Sequence, residues 1–259
     1  MKPELAAARR ALMQRIAACE NLVGARPHPA CACVAAVQDG RVAGQRQVPE
    51  PWRGSLDAPI LFVSSNPSLD FADDSPTLHQ WNTDQARCEA YFERGFPSNG
   101  FPRTRLHTGD LSPSWVRFWA SCRARAAELL DLPRAQVKPG THFALTELVH
   151  CKSRDETGVD KAAPECIRRH WLDDPSPGSP NRGLSTLHGA ALVIALGKVA
   201  HDALHIRPGK LHRDRGHRGQ DVLMIALPHP NARAVPKSVR LNYKEPAWQE
   251  VVRHMAGRQ

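Results

Sequence analysis

The sequence predicts an α/β fold: a three-layer αβα sandwich around a central, mainly parallel four-stranded sheet. Three observations lead there. Four short apolar runs are continuous rather than alternating, as expected for strands buried on both faces of a parallel sheet. Helical patterns lie between and around these runs, and alternation of strand and helix places helices on both faces of one sheet. Each run also ends in small, polar or ionisable residues, and in open parallel sheets ligands bind beyond the carboxyl ends of the strands.

The elements come in this order. Residues 5–19 form an amphipathic helix carrying Arg9, Arg10 and Arg15. A secretory apolar region would not tolerate Arg15. The first strand is 60–63. The next helix spans 114–130, with Trp115, Phe118, Trp119, Cys122, Ala126 and Leu129 at helical spacing and Ser112 or Ser114 as N-cap. Strand 143–145, helix 164–172, strand 190–196, helix 198–204 and strand 222–227 succeed one another. Helix 246–255 closes the chain, with Pro246 suited to a first turn. Segments 24–58, 72–111, 173–183 and 205–220 lack periodicity and read as loops. The 259 residues form one domain, with a helix and cysteine segment over 1–57, a core over 58–236 and a final helix over 237–259.

Thirty-five Lys and Arg against 26 Asp and Glu give a net charge of +9, which favours a polyanionic partner such as nucleic acid. No run approaches the roughly 20 apolar residues of a membrane span. The expected location is therefore the cytoplasm, associated with the nucleoid. There the seven cysteines serve as thiols or metal ligands rather than disulfides. Without heptads or repeats, a monomer is expected.

The strand ends carry the functional signal. The first delivers Ser64-Ser65-Asn66-Pro67-Ser68. The second delivers Thr146-Glu147-Leu148-Val149-His150-Cys151-Lys152. The third opens a helix with Gly197-Lys198, and the fourth delivers Pro228-His229-Pro230-Asn231. These segments resemble the motifs of the uracil-DNA glycosylase superfamily, in the right order across roughly residues 58–236. Ser64-Ser65-Asn66-Pro67-Ser68 matches the first motif with Asn in its variable slot. His229-Pro230-Asn231-Ala232-Arg233 matches the second, and residues 194–200 resemble the strand–Leu-Gly–helix segment. Residues 145–152 are similar to the strand of the iron–sulfur branch.

The resemblance implies cleavage of an N-glycosidic bond in DNA containing a damaged or deaminated base. Asn66 positions the attacking water. His229 donates a hydrogen bond to the departing base, whose charge grows in the transition state. The base must leave the stack to arrive there. Ser65, Pro67, Phe71 and Glu147 contact it, with Phe71 preferred over Trp115 and Phe118 as the stacking ring. Lys198, Arg213, Arg215, Asn231 and Arg233 contact DNA, Arg233 from the place where the family inserts into the vacated duplex. Arg213 and Arg215 belong to a basic stretch, 207–218, expected near the site.

Glu147 departs from the family pattern, where the base-reading residue is usually Asn. A carboxylate accepts from uracil N3–H but repels O4. Either burial keeps Glu147 protonated, or the preferred base carries an amino group there, or Glu147 turns toward Lys152 or His150. The cysteines depart too. The iron–sulfur branch has a Cys-x-x-Cys pair near the N-terminal helix. Here Cys19, Cys31 and Cys33 stand in its stead beside Cys151 and Cys166. Four of these five are expected to hold a [4Fe–4S] cluster, or zinc, as a structural clip. Cys88 and Cys122 are expected in the core. The rival readings are an inactive, lesion-sensing DNA-binding protein of the same fold and a hydrolase of free nucleosides.

Overall fold

The computed structural model describes residues 3–23, 28–38, 46–97, 101–172, 183–215, 221–232 and 238–256. Five strands form one sheet: β1 (Ile60–Ser64), β2 (Phe143–Glu147), β3 (Leu192–Leu196), β4 (His212–Arg215) and β5 (Asp221–Leu227), in spatial order β2-β1-β3-β5-β4. The pairs β1–β2, β1–β3 and β3–β5 are parallel, and β4 is antiparallel to β5.

The fifth strand corrects the expected four. It lies in the 205–220 segment, and its sequence His212-Arg213-Asp214-Arg215 has no apolar residue. A strand at a sheet edge pairs through its backbone on one side only and can remain polar. Apolar content could not reveal it.

Helices α1 (Pro3–Ala17), α2 (Glu20–Val23) and α3 (Ala32–Val37) precede β1. Between β1 and β2 come α4 (Leu78–Thr83), α5 (Gln85–Arg94) and α6 (Arg117–Leu130). Thus 72–111 is not all loop. Thr77 and Gln80 form a reciprocal capping box at the start of α4, and Asp84 caps α5 through the Arg87 N–H. The 24–58 segment likewise contains α3. Helix α6 starts at Arg117, later than the apolar spacing indicates, and ends where Asp131 turns left-handed at φ 50°. Beyond β2, α7 (Val159–Cys166) runs into a π-helical turn over Ile167–Trp171, then α8 (Leu184–Leu187) leads to β3. Helix α9 (Lys198–Ala203) follows β3, and α10 (Glu245–Ala256) follows β5.

Alternate strand residues face opposite sides. Leu61, Val63, Ala144, Val193 and Ala226 pack with residues of α1, α8 and α9. Ile60, Phe62, Phe143, Ile194 and Ile225 pack with α6 and α10. Both faces are therefore covered. Cys88 and Cys122 are buried in these two cores. Arg9 fixes α1 by a two-pronged bond to Asp57, both distances 2.9 Å, and a third to the Leu187 carbonyl. Among the described residues, no helix is long and apolar enough to cross a membrane.

Candidate active site

Parallel β1 and β2 remain zipped beyond their ends. Leu148 N–H donates to Ser64 O at 3.0 Å, Val149 N–H to Ser65 O at 2.9 Å, and Ser153 N–H to Pro67 O at 3.2 Å. Both loops are held in register where they leave the sheet. Above them opens a cavity of about 410 Å3, lined by Ser65, Asn66, Pro67, Glu147, His229 and Asn231 among others. That volume lies within the range of small-molecule pockets. The strand ends thus bring both proposed catalytic residues and three of the four proposed base contacts to one place.

Asn66 spends its amide N–H on its own turn, donating to Pro67 O at 2.9 Å. Its carbonyl oxygen remains as an acceptor. His229 is set from three directions. The buried Arg125 donates to Pro228 O at 2.8 Å. Phe118 packs on the imidazole, with ring centres 5.5 Å apart. Gly197, at φ 86°, lets the strand end approach: a Cβ there would stand 3.2 Å from His229 Cβ. Asn231 N–H donates to His229 Nδ1 at 3.2 Å. A neutral ring accepting at Nδ1 carries its proton on Nε2 and is a donor there.

Glu147 is buried and lines the cavity. Burial first, and then the nearby Glu50 charge, push its carboxyl up to about 8, against the pull of Arg53 and Lys152. It is therefore protonated at neutral pH. Lys152 and His150, the alternative partners, are engaged elsewhere. Lys152 bonds Ser75 and lies 3.5 Å from both Glu50 and Asp73. His150 donates from Nδ1 to Glu50 O at 2.8 Å.

A floor of buried charge lies beneath. Residues 50–53 run antiparallel to the outer edge of β2, with Glu50 bonded to His150 and Arg53 to Leu145 through the backbone. This pairing sets Arg53 and Glu50 under the cavity, joined by two hydrogen bonds from Nε and Nη2. The Arg53 guanidinium also lies 5.1 Å from the Trp119 ring centre and 5.5 Å from that of Tyr91. Although burial opposes ionisation, Arg53 and Lys152 hold Glu50 down at about 2. Asp73 accepts from Gln47 Nε2 and Ser75 N–H, each at 3.0 Å. With Glu147 neutral, two carboxylates balance two cations.

The remaining expectations divide. Phe71 is not among the lining residues, whereas Trp115 and Phe118 are. The chain turns at Asp70, whose side chain accepts from Ala72 N–H, and Phe71 falls outside the cavity. Within the basic stretch, the backbone of Arg213 and Arg215 lies away from the site. Antiparallel pairing sets Arg213 opposite Leu223 and Arg215 opposite Asp221, at the start of β5, while His229 follows its end. Arg213 is bonded to Asp221 and Glu250 on the surface. Lys198 is paired with Asp202 and is also absent from the lining. Arg233 and the side chain of Arg215 lie outside the described residues.

A second, smaller cavity lies on the other side of the 147–152 segment. Cys19, Cys31, Cys151 and Cys166 line it, with Val34, Val149 and Ala162. Cys33, the fifth candidate, is exposed and does not line this cavity. Burial pushes all four thiols up. Thiolates there need a compensating positive charge, such as that of a metal. The four sulfur donors suit a [4Fe–4S] cluster or zinc in number and type. Among the described residues, no three His, Cys, Asp or Glu side chains already stand close enough to hold a single metal ion.

Sequence patterns do not single out Glu50, Arg53, Asp73 or Glu156. The first three sit in segments without periodicity, and Glu156 lies between the second strand and helix 164–172. One signal is present in Pro49-Glu50-Pro51-Trp52-Arg53, where prolines and a Trp interleave charges in a way a mobile loop does not need. Fold and site together define an α/β protein with a ligand-sized cavity, lined by both polar and aromatic residues, at the carboxyl edge of its sheet. Comparisons with protein-family profiles and with curated proteins give no match.

Proposed function

We propose that the protein is a DNA N-glycosylase with a uracil-DNA glycosylase-like fold. The observation that carries this reading is the meeting of Asn66, Glu147 and His229 in one cavity beyond the parallel strands. The Asn66 carbonyl orients a water toward the sugar carbon. His229 Nε2–H donates to the base oxygen as negative charge builds there. Protonated Glu147 presents a C=O acceptor beside an O–H donor, the same pair that a carboxamide offers. It answers a base edge with N–H next to C=O, as in uracil and hypoxanthine. Phe118 or Trp115 replaces Phe71 as the stacking ring. The net charge of +9 suits a DNA partner and a place at the nucleoid.

Cys19, Cys31, Cys151 and Cys166 would hold a [4Fe–4S] cluster, or zinc, clipping the N-terminal helices to β2 and α7. Incubation with oligonucleotides bearing uracil, hypoxanthine or xanthine, followed by detection of abasic sites, tests the activity. Release of uracil or hypoxanthine is expected. Tight binding without release from any of them would favour the lesion-sensing reading instead.

A further inference from the structure

Glycosidic cleavage as just proposed leaves one step without a residue, removal of a proton from the attacking water, and the assignment of a base rests on that proposal. Asn66 can orient the water but a carboxamide is not a base. Six carboxyl groups line the cavity: Glu50, Asp70, Asp73, Glu147, Asp155 and Glu156. Four are committed. Glu50 is bound by Arg53. Asp73 accepts from Gln47 and Ser75 and faces Lys152. Asp70 caps its own turn, accepting from Ala72 N–H, and among the described residues its carboxyl makes no hydrogen bond to the Ser65–Asn66 segment. Glu147 is protonated at neutral pH, being pushed up to about 8 by burial.

Asp155 and Glu156 remain. Both adopt left-handed backbone, φ 53° and 55°. That conformation is unfavourable for a residue with a Cβ. The turn brings Glu156 back over the cavity, where its Oε1 accepts from Ser65 Oγ–H, next to Asn66 in sequence. Asp155 lines the mouth, and among the described residues no hydrogen bond holds its carboxyl.

We propose that Glu156 is the general base of this site, taking a proton from the water that Asn66 orients. Ser65 is a positioning residue: its hydroxyl occupies Glu156 Oε1 and leaves Oε2 for the water. The water oxygen bonds to C1′ as the C1′–N bond breaks. The electron pair of that bond departs with the base, whose oxygen takes the hydrogen bond from His229 Nε2–H. One water proton passes to Glu156 and on to solvent, the other stays on the new C1′ hydroxyl, and the base anion is protonated from solvent. Glu156 is exposed, so it can return its proton to bulk water.

The test is single-turnover kinetics of the purified full chain on whichever oligonucleotide the wild type cleaves, with oligonucleotide affinity measured alongside. Glu156→Gln should lower the rate constant about 10²–10⁴-fold, with affinity unchanged and Asp155→Asn within about threefold of wild type. Added formate should restore part of the rate of Glu156→Ala, which a merely structural role would not allow. An active wild type with an undiminished Glu156→Gln overturns this inference alone. So does a loss carried by Asp155→Asn, or a Glu156→Ala that formate does not rescue. A wild type that releases no base from any oligonucleotide overturns the glycosylase reading, and this inference with it.

Discussion

The two chambers on either side of residues 147–152 are built on opposite principles. The larger is floored by Glu50, Arg53, Asp73 and Lys152, all buried and each answered by another member of the set. The smaller is walled by Val34, Val149, Ala162 and four thiols, with Asn21, Arg169 and His170 beside them. One backbone segment serves both: Glu147 and Lys152 border the first, Val149 and Cys151 the second. The first balances its charges with its own residues. The second gathers four soft donors of one kind in a wall with few charges. Buried charge requires a complete set of partners, whereas a sulfur site requires donors of one type brought together.

The largest expected effect breaks the charged side. Lys152→Met leaves Glu50 and Asp73 facing one buried cation instead of two. It should cost about 3–5 kcal/mol in denaturant unfolding. A loss under about 1 kcal/mol would mean that the floor behaves as a solvated surface network. Next, His229→Ala removes the donor that the proposed mechanism aims at the departing base. It should lower the single-turnover rate about 10²–10³-fold with little change in Tm. An unchanged rate would separate the charged chamber from the chemistry.

On the sulfur side, Cys151→Ser should abolish bound metal by elemental analysis while Cys33→Ser retains it. Equal loss in both would redraw the ligand set. Glu147→Gln sharpens the contrast more gently. The folded carboxyl holds its proton up to about 8, but the unfolded one releases it near the ordinary value of 4.5. Between those values the folded state binds the extra proton, so wild-type stability falls as pH rises. The contribution is complete below 4.5 and gone above 8. Glu147→Gln lacks this dependence, so its Tm should gain on that of wild type from about pH 5 to about pH 8. Parallel Tm profiles would show that Glu147 is already ionised when folded. The smallest effect belongs to Arg213→Ala. Its bonds to Asp221 and Glu250 are exposed and remote from both chambers, and oligonucleotide affinity should not change measurably.

How legible each part is in the sequence depends on how that part is built. Strands β1, β2, β3 and β5 are apolar because both faces are covered, and that pattern is visible in the letters. Their polar ends could then be read for Asn66, Glu147 and His229. The polar β4 escaped, since an edge strand is fixed by backbone pairing. The floor escaped for a related reason: Glu50 and Arg53 reach the cavity because their backbone pairs with β2, a contact far away in sequence. Phe71 misled because proximity to a motif says nothing about the turn at Asp70. The five cysteines were narrowed to four only by knowing that Cys33 is exposed and lies outside that cavity's lining.

The division of the thiols between distant parts of the chain has a consequence in time. Cys19 and Cys31 precede β1 in the chain, and Cys151 and Cys166 lie beyond β1 and β2. Contacts between distant residues form only after the chain has met the entropy of closing the loop between them. During synthesis the N-terminal pair must therefore wait, as free thiols, until translation has passed Cys166 and the β1–β2 pairing has formed. A cluster or metal held by all four, as proposed above, would mark a chain whose two halves have already found each other.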